Sequence, residues 1–98
     1  MRKITQLAIT AFQNGTPFKK GNTEVWIDDK GVKRLLLHDN CIAKIDANGL
    51  AICPCGYMTR TTKERLNGLP GVQIIQKDYV WYLHGKKLDM RNWTYINK

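Results

Sequence analysis

Three cysteines and two histidines are the residues best suited to hold a metal or attack a substrate, and their spacing decides what they can do. His38-x-x-Cys41 and Cys53-Pro54-Cys55 supply one imidazole and three thiolates, a ligand set known from structural zinc sites. One residue separates Cys53 from Cys55 where the usual knuckle has two, so zinc is the weaker reading. The stronger one makes Cys41 and Cys53 small buried hydrophobes and puts Cys55 in a loop. An odd number of cysteines also fits a reducing compartment better than a disulfide framework.

Covalent and acid-base chemistry have less behind them. Cys41 or Cys55 with His38 or His84 can be drawn as nucleophile and base, but no flanking motif fixes either pair. Asp28 and Asp29 are neighbours in a turn, and no second carboxylate cluster completes an acid and base pair. Gly68 and Gly71 flank Pro70 and serve a helix end rather than a phosphate loop. The expectation is a protein that is not an enzyme and uses no cofactor.

Binding is better supported, because 16 Lys and Arg stand against eight Asp and Glu, a formal +8 in 98 residues. That balance excludes an acidic calcium-loading protein and points to an anionic partner. The charge is uneven: residues 1–22 carry +4, residues 23–59 carry −1 and residues 60–98 carry +5. If the two ends meet in the fold, they make one positive face. The candidate contacts are Arg60, Lys63 and Arg65 around a helix, Lys77 at a hairpin tip, Lys86 and Lys87 beyond Tyr82, and Arg91 before Trp93. Such cations neutralise phosphates, and exposed Tyr or Trp between them stack on unpaired bases. Tyr79 and Trp81 are read as core instead.

The elements that must position these residues follow from the turn signals. This length builds one domain, residues 1–98. Ile4, Leu7, Ala8 and Ala11 have helical spacing, but Ile4, Leu7, Ile9 and Ala11 read partly as a strand, and a first strand is expected before Asn14-Gly15-Thr16-Pro17 turns the chain. From Thr23 to Ile52, turns recur about every nine residues (Asp28 to Gly31, Asp39-Asn40, Asp46 to Gly49), the rhythm of an antiparallel meander. Thr61-Thr62-Lys63-Glu64 matches a capping box, with Thr61 as N-cap and Gly68 as a left-handed stop, and gives a helix over 62–67. A hairpin follows, with Lys77-Asp78 as its turn. The fold class is α+β: a small antiparallel meander sheet with one short capped helix. Lys63→Glu with Arg65→Glu should then leave the fold intact and weaken partner binding. No signal peptide or spanning run is apparent, so a soluble, intracellular protein with no membrane partner is expected.

The run Thr61 to Val72, followed by Gln76-Lys77, Val80-Trp81-Tyr82-Leu83 and Gly85-Lys86, resembles a group of short accessory proteins of tailed bacteriophages. Phe18-Lys19-Lys20, Asn22-Thr23, Leu37-His38, Asn40 and Ile42-Ala43 share the resemblance, which covers most of the chain. It implies a protein acting in the cytoplasm of an infected host, where such proteins bind and redirect host machinery. The partner is then nucleic acid, or a host protein with an acidic or nucleic-acid-binding surface. In the second case the protein is an inhibitor of a defence system, of the anti-CRISPR or anti-restriction type, that occludes the groove holding its nucleic acid.

Overall fold

The computed structural model describes residues 3–56 and 59–96. Its first element corrects the sequence reading: Lys3–Asn14 is a helix, α1. Its buried stripe is Thr5, Ala8, Ile9, Ala11 and Phe12, with helical spacing. Thr5 hides that stripe from a hydropathy reading, because a polar residue holds one of its five positions. Gly15 stops the helix at φ +73°. Thr16 N–H donates to Ala11 O at 2.9 Å and Gly15 N–H to Phe12 O at 3.4 Å, the paired bonds of a Schellman motif, before Pro17 leads the chain away.

The meander is present as expected, with Thr23–Ile27 (β2), Lys33–Leu37 (β3), Asn40–Asp46 (β4) and Gly49–Ile52 (β5), and a further strand, Phe18–Lys20 (β1), precedes it. A late strand, Thr94–Tyr95 (β9), pairs with β5 and completes an antiparallel sheet of order β1-β2-β3-β4-β5-β9. Val25, Leu35, Leu37, Ala43 and Ile52 face α1 and the core. Between β3 and β4 the register shifts at Leu35/Leu36, and the extra residue, Ile42, is buried beside Ala43.

The second helix, α2 (Arg60–Asn67), starts two residues earlier than the capping box suggested. Thr59 is the N-cap, extended at φ −98° and ψ 157°, and its Oγ1 accepts from Thr62 N–H at 3.1 Å. Glu64 does not reach back to Thr61; it is held by Thr5 and Arg65. Gly68 is right-handed, φ −75°, and caps by donating its N–H to the carbonyls of Glu64 and Arg65. Thr59→Ala is expected to cost about 1 kcal/mol and Thr61→Ala less than half of that, read from urea midpoints.

The hairpin after α2 does not join the meander. Ile74–Lys77 (β6), Val80–Leu83 (β7) and Lys86–Lys87 (β8) form their own antiparallel sheet of order β6-β7-β8. Asn67 fastens it to α2, because its amide donates to Ile74 O at 3.2 Å and accepts from Ile74 N–H at 2.6 Å. The turn lies one residue later than expected: Asp78 and Tyr79 have φ 52° and 66°, the two positive φ angles of a type I′ turn. Ile74, Trp81, Leu83 and Leu88 pack with Leu66, Leu69 and Val72 in the core that the large sheet and α1 share.

Candidate nucleic-acid interface

The candidate cations have three different fates. Arg65, expected to face outward, is buried at 2% side-chain exposure. Its Nε donates to Thr23 Oγ1 at 3.3 Å, and its Nη1 donates to Glu64 Oε1 at 2.7 Å and to Thr5 Oγ1. The reason is helical spacing: Thr62, Arg65 and Leu66 form the inner stripe of α2, so position 65 meets α1 and β2 whatever its charge. Lys63 is half-buried and lies 3.4 Å from Gln76 Oε1, bridging α2 and β6.

Arg60, Lys77, Lys86, Lys87 and Arg91 are exposed. Strand alternation separates the two lysines of β8. Lys87 stands opposite Tyr82, and Tyr82 opposite Ile75, on the outer face of the small sheet. Lys77 and Val80 form the next pair on that same face. Lys86 is on the other face of β8, and both lysines border an open groove of about 410 Å³ between β8 and β9, with Leu83, Leu88, Tyr95 and Ile96. Arg91 sits on a loop organised by Asp89, whose carboxylate accepts from the N–H groups of Arg91 at 2.9 Å and Asn92 at 3.1 Å. These bonds hold the Asp89 carboxyl below its usual range.

The basic ends of the chain meet only in part: Thr5 of α1 bonds to Glu64 and Arg65 of α2, and Thr23, the register partner of Lys20, accepts from Arg65, whereas the tail after Leu83 is at the far edge of the sheet. Lys19 and Lys20 are on β1, at one edge of the six-stranded sheet, and the residues after Leu83 border β9 at the other edge. Five strand spacings separate those edges, about 24 Å. Arg2 and Lys98 lie outside the described residues.

Two features went unread in the sequence. Tyr79, expected in the core, is 87% exposed because it is a turn residue and not the first residue of β7. Lys44 Nζ lies 4.8 Å from the centre of the Trp93 ring and 3.4 Å from Asp46 Oδ2, and the Tyr95 hydroxyl donates to Asp46 at 2.6 Å. The Tyr95 bond is the main cause that holds the Asp46 carboxyl below its usual range. This cluster pins the tail carrying Arg91 and β9 onto β4. Cross-strand proximity was its only signal, and that requires the register.

The zinc set is not assembled. Cys55 Sγ lies 3.7 Å from Cys53 Sγ and donates to Cys41 O at 3.2 Å, whereas His38 is in the β3–β4 turn with its Nε2 3.2 Å from Asn22 Nδ2. Among the described residues, no group of three or more His, Cys, Asp or Glu side chains is arranged to hold a metal. Burial, then the Cys53 thiol, pushes the Cys55 thiol up to about 11, and burial raises Cys41 as well. Both stay protonated near neutral pH, which suits neither a ligand nor a nucleophile.

Among the described residues, no helix is long and apolar enough to cross a membrane. No curated protein and no solved structure matches the chain. The model of the family described as Kyanoviridae Gp96 protein matches residues 1–98, in line with the phage resemblance of its motifs. The chain belongs to the Kyanoviridae Gp96 protein family and is a phage protein.

Proposed function

We propose that this phage protein is a non-enzymatic binder of nucleic acid in the infected host cytoplasm, and that its contact surface runs over α2 and the small sheet. The observation that carries this reading is the separation of charge on that side of the molecule. Arg60, Lys77, Lys86, Lys87 and Arg91 are exposed and have no carboxylate partner among the described residues. Glu64, the acid of α2, is drawn inward by Thr5 and Arg65. Folding thus removes one cation from the surface but ties up the carboxylate beside it. Exposed lysines and arginines left without a carboxylate partner raise the surface potential and attract a polyanion. The raised thiols and the scattered histidines favour binding over catalysis.

Anisotropy titrations with labelled random-sequence DNA and RNA between 50 and 200 mM salt test the proposal. Four phosphate contacts predict a slope of log Kobs against log salt of about −3. Arg60→Glu with Lys77→Glu should melt like the parent, weaken binding at least about tenfold and flatten the slope by about 2. Failure to bind either polymer at low salt overturns the reading and assigns the basic surface to a host protein, as an occluding inhibitor of a defence complex would use it.

A further inference from the structure

The outer face of the small sheet carries more than charge. Register places Ile75, Tyr82 and Lys87 in one row across β6, β7 and β8, with Lys77 and Val80 in the next. Ile75 is 58% exposed, and Tyr82 and Val80 are half-buried, so this face is open while the opposite one buries Ile74, Trp81 and Leu83. Apolar and aromatic surface left open between two lysines, with no carboxylate in either row, is not what a solvated sheet face needs.

Tyr79 adds an independent observation at the tip of the same hairpin. It is 87% exposed and left-handed, φ 66°. An aromatic residue there packs against little and pays for a backbone conformation that Asn or Gly would adopt with less strain. A strained side chain that contributes little to the core points to use at a surface.

We propose that this face is a stacking platform for single-stranded DNA, with Tyr82 at its centre and Lys77 and Lys87 on the phosphates, and that Tyr79, at the hairpin tip beside Gln76 and Lys63, adds a second aromatic contact. This rests on the nucleic-acid reading above and specifies the strand state. Aromatic faces stack on bases only where the bases are unpaired, and an open sheet face of this kind holds about two or three of them. Lysine supplies the charge at either side without reading sequence. The choice of DNA follows from the residues between the cations: Ile75 and Val80 suit a deoxyribose, and apart from the Tyr82 hydroxyl neither row offers a neutral polar side chain to recognise a 2′-hydroxyl.

The experiment measures affinity for labelled oligothymidylate, oligouridylate and duplex DNA of equal length at one salt concentration. The wild-type protein should prefer oligothymidylate over both others. Tyr79→Asn relieves the left-handed strain, so it should melt at or above the wild-type temperature and yet bind oligothymidylate several-fold more weakly, a pair of shifts that a structural role does not produce. Tyr82→Leu should lose about five- to 100-fold on oligothymidylate with little change on duplex, and Tyr82→Phe should retain binding. If the tyrosine variants bind oligothymidylate as the wild type does, while Arg60→Glu with Lys77→Glu still weakens it, the platform is wrong and the electrostatic reading stands. Tighter binding of oligouridylate overturns the assignment to DNA. No binding of any probe by the wild-type protein overturns both readings.

Discussion

Arg65→Ala is expected to destabilise the fold by about 3 kcal/mol, as removing one partner of a buried ion pair does. The guanidinium is the meeting point of three elements: it donates to Thr5 of α1, Thr23 of β2 and Glu64 of α2. Thr5 and Thr23 are almost fully buried, so no water replaces the lost N–H donors. Glu64, at 29% side-chain exposure, recovers part of its hydration, which keeps the cost at the lower end of the range. For a domain of this size the loss corresponds to a fall in Tm of about 15 °C. Urea and thermal unfolding followed by circular dichroism measure it. Arg65→Met combined with Thr5→Val, which replaces the polar contacts with apolar volume, should recover more than half; a loss below about 1 kcal/mol for Arg65→Ala would show that the network does not hold the elements together. The same geometry overturns the expectation that Lys63→Glu with Arg65→Glu spares the fold. That pair of changes puts a second carboxylate beside Glu64 in a buried pocket with no cation.

The meander was legible because its turns are local. Asp28 accepts from the N–H groups of Lys30 and Val32, Asp46 accepts from Asn48 N–H, and such residues signal turns without reference to the rest of the fold. What escaped the sequence was each place where a distant residue decided the outcome. Thr5 belongs to the apolar stripe of α1 because Glu64 and Arg65 satisfy its hydroxyl across 59 and 60 residues of chain. Glu64 is not the return arm of a capping box because Thr5 and Arg65 claim it. Of the candidate contacts, Arg60, Lys77, Lys86, Lys87 and Arg91 are exposed, since an unpaired cation is seldom buried. Arg65 is not, and nothing in its neighbourhood along the chain announces a partner.

Position in the register also separates lysines that composition treats as equal. Lys86 and Lys87 are adjacent and both border the groove beside β9, yet alternation gives only Lys87 to the row with Tyr82. The proposed interface is therefore marked by the aromatic and cationic residues that share a strand face and not by charge alone.

That face depends on the ring behind it, and Trp81→Ala is expected to cost about 4 kcal/mol, the largest loss for a single core truncation in this chain. Trp81 is 1% exposed on the central strand of the small sheet, back to back with the row that carries Tyr82. Its indole is not fully satisfied: Nε1 is buried without a hydrogen-bond partner among the described residues. An unpaired buried donor costs about 1–3 kcal/mol, so the native ring carries a penalty that phenylalanine would not. Trp81→Phe leaves a small void but removes that donor, and the two effects nearly cancel, for a net loss of about 1 kcal/mol or less. The pair of urea midpoints, taken with unchanged slopes, checks the argument. Equal losses for the phenylalanine and alanine variants would mean that the indole N–H is paired after all. With Trp81→Phe stable and Trp81→Ala not, single-stranded DNA binding should follow the same order, because the platform is only as rigid as the strand that presents it.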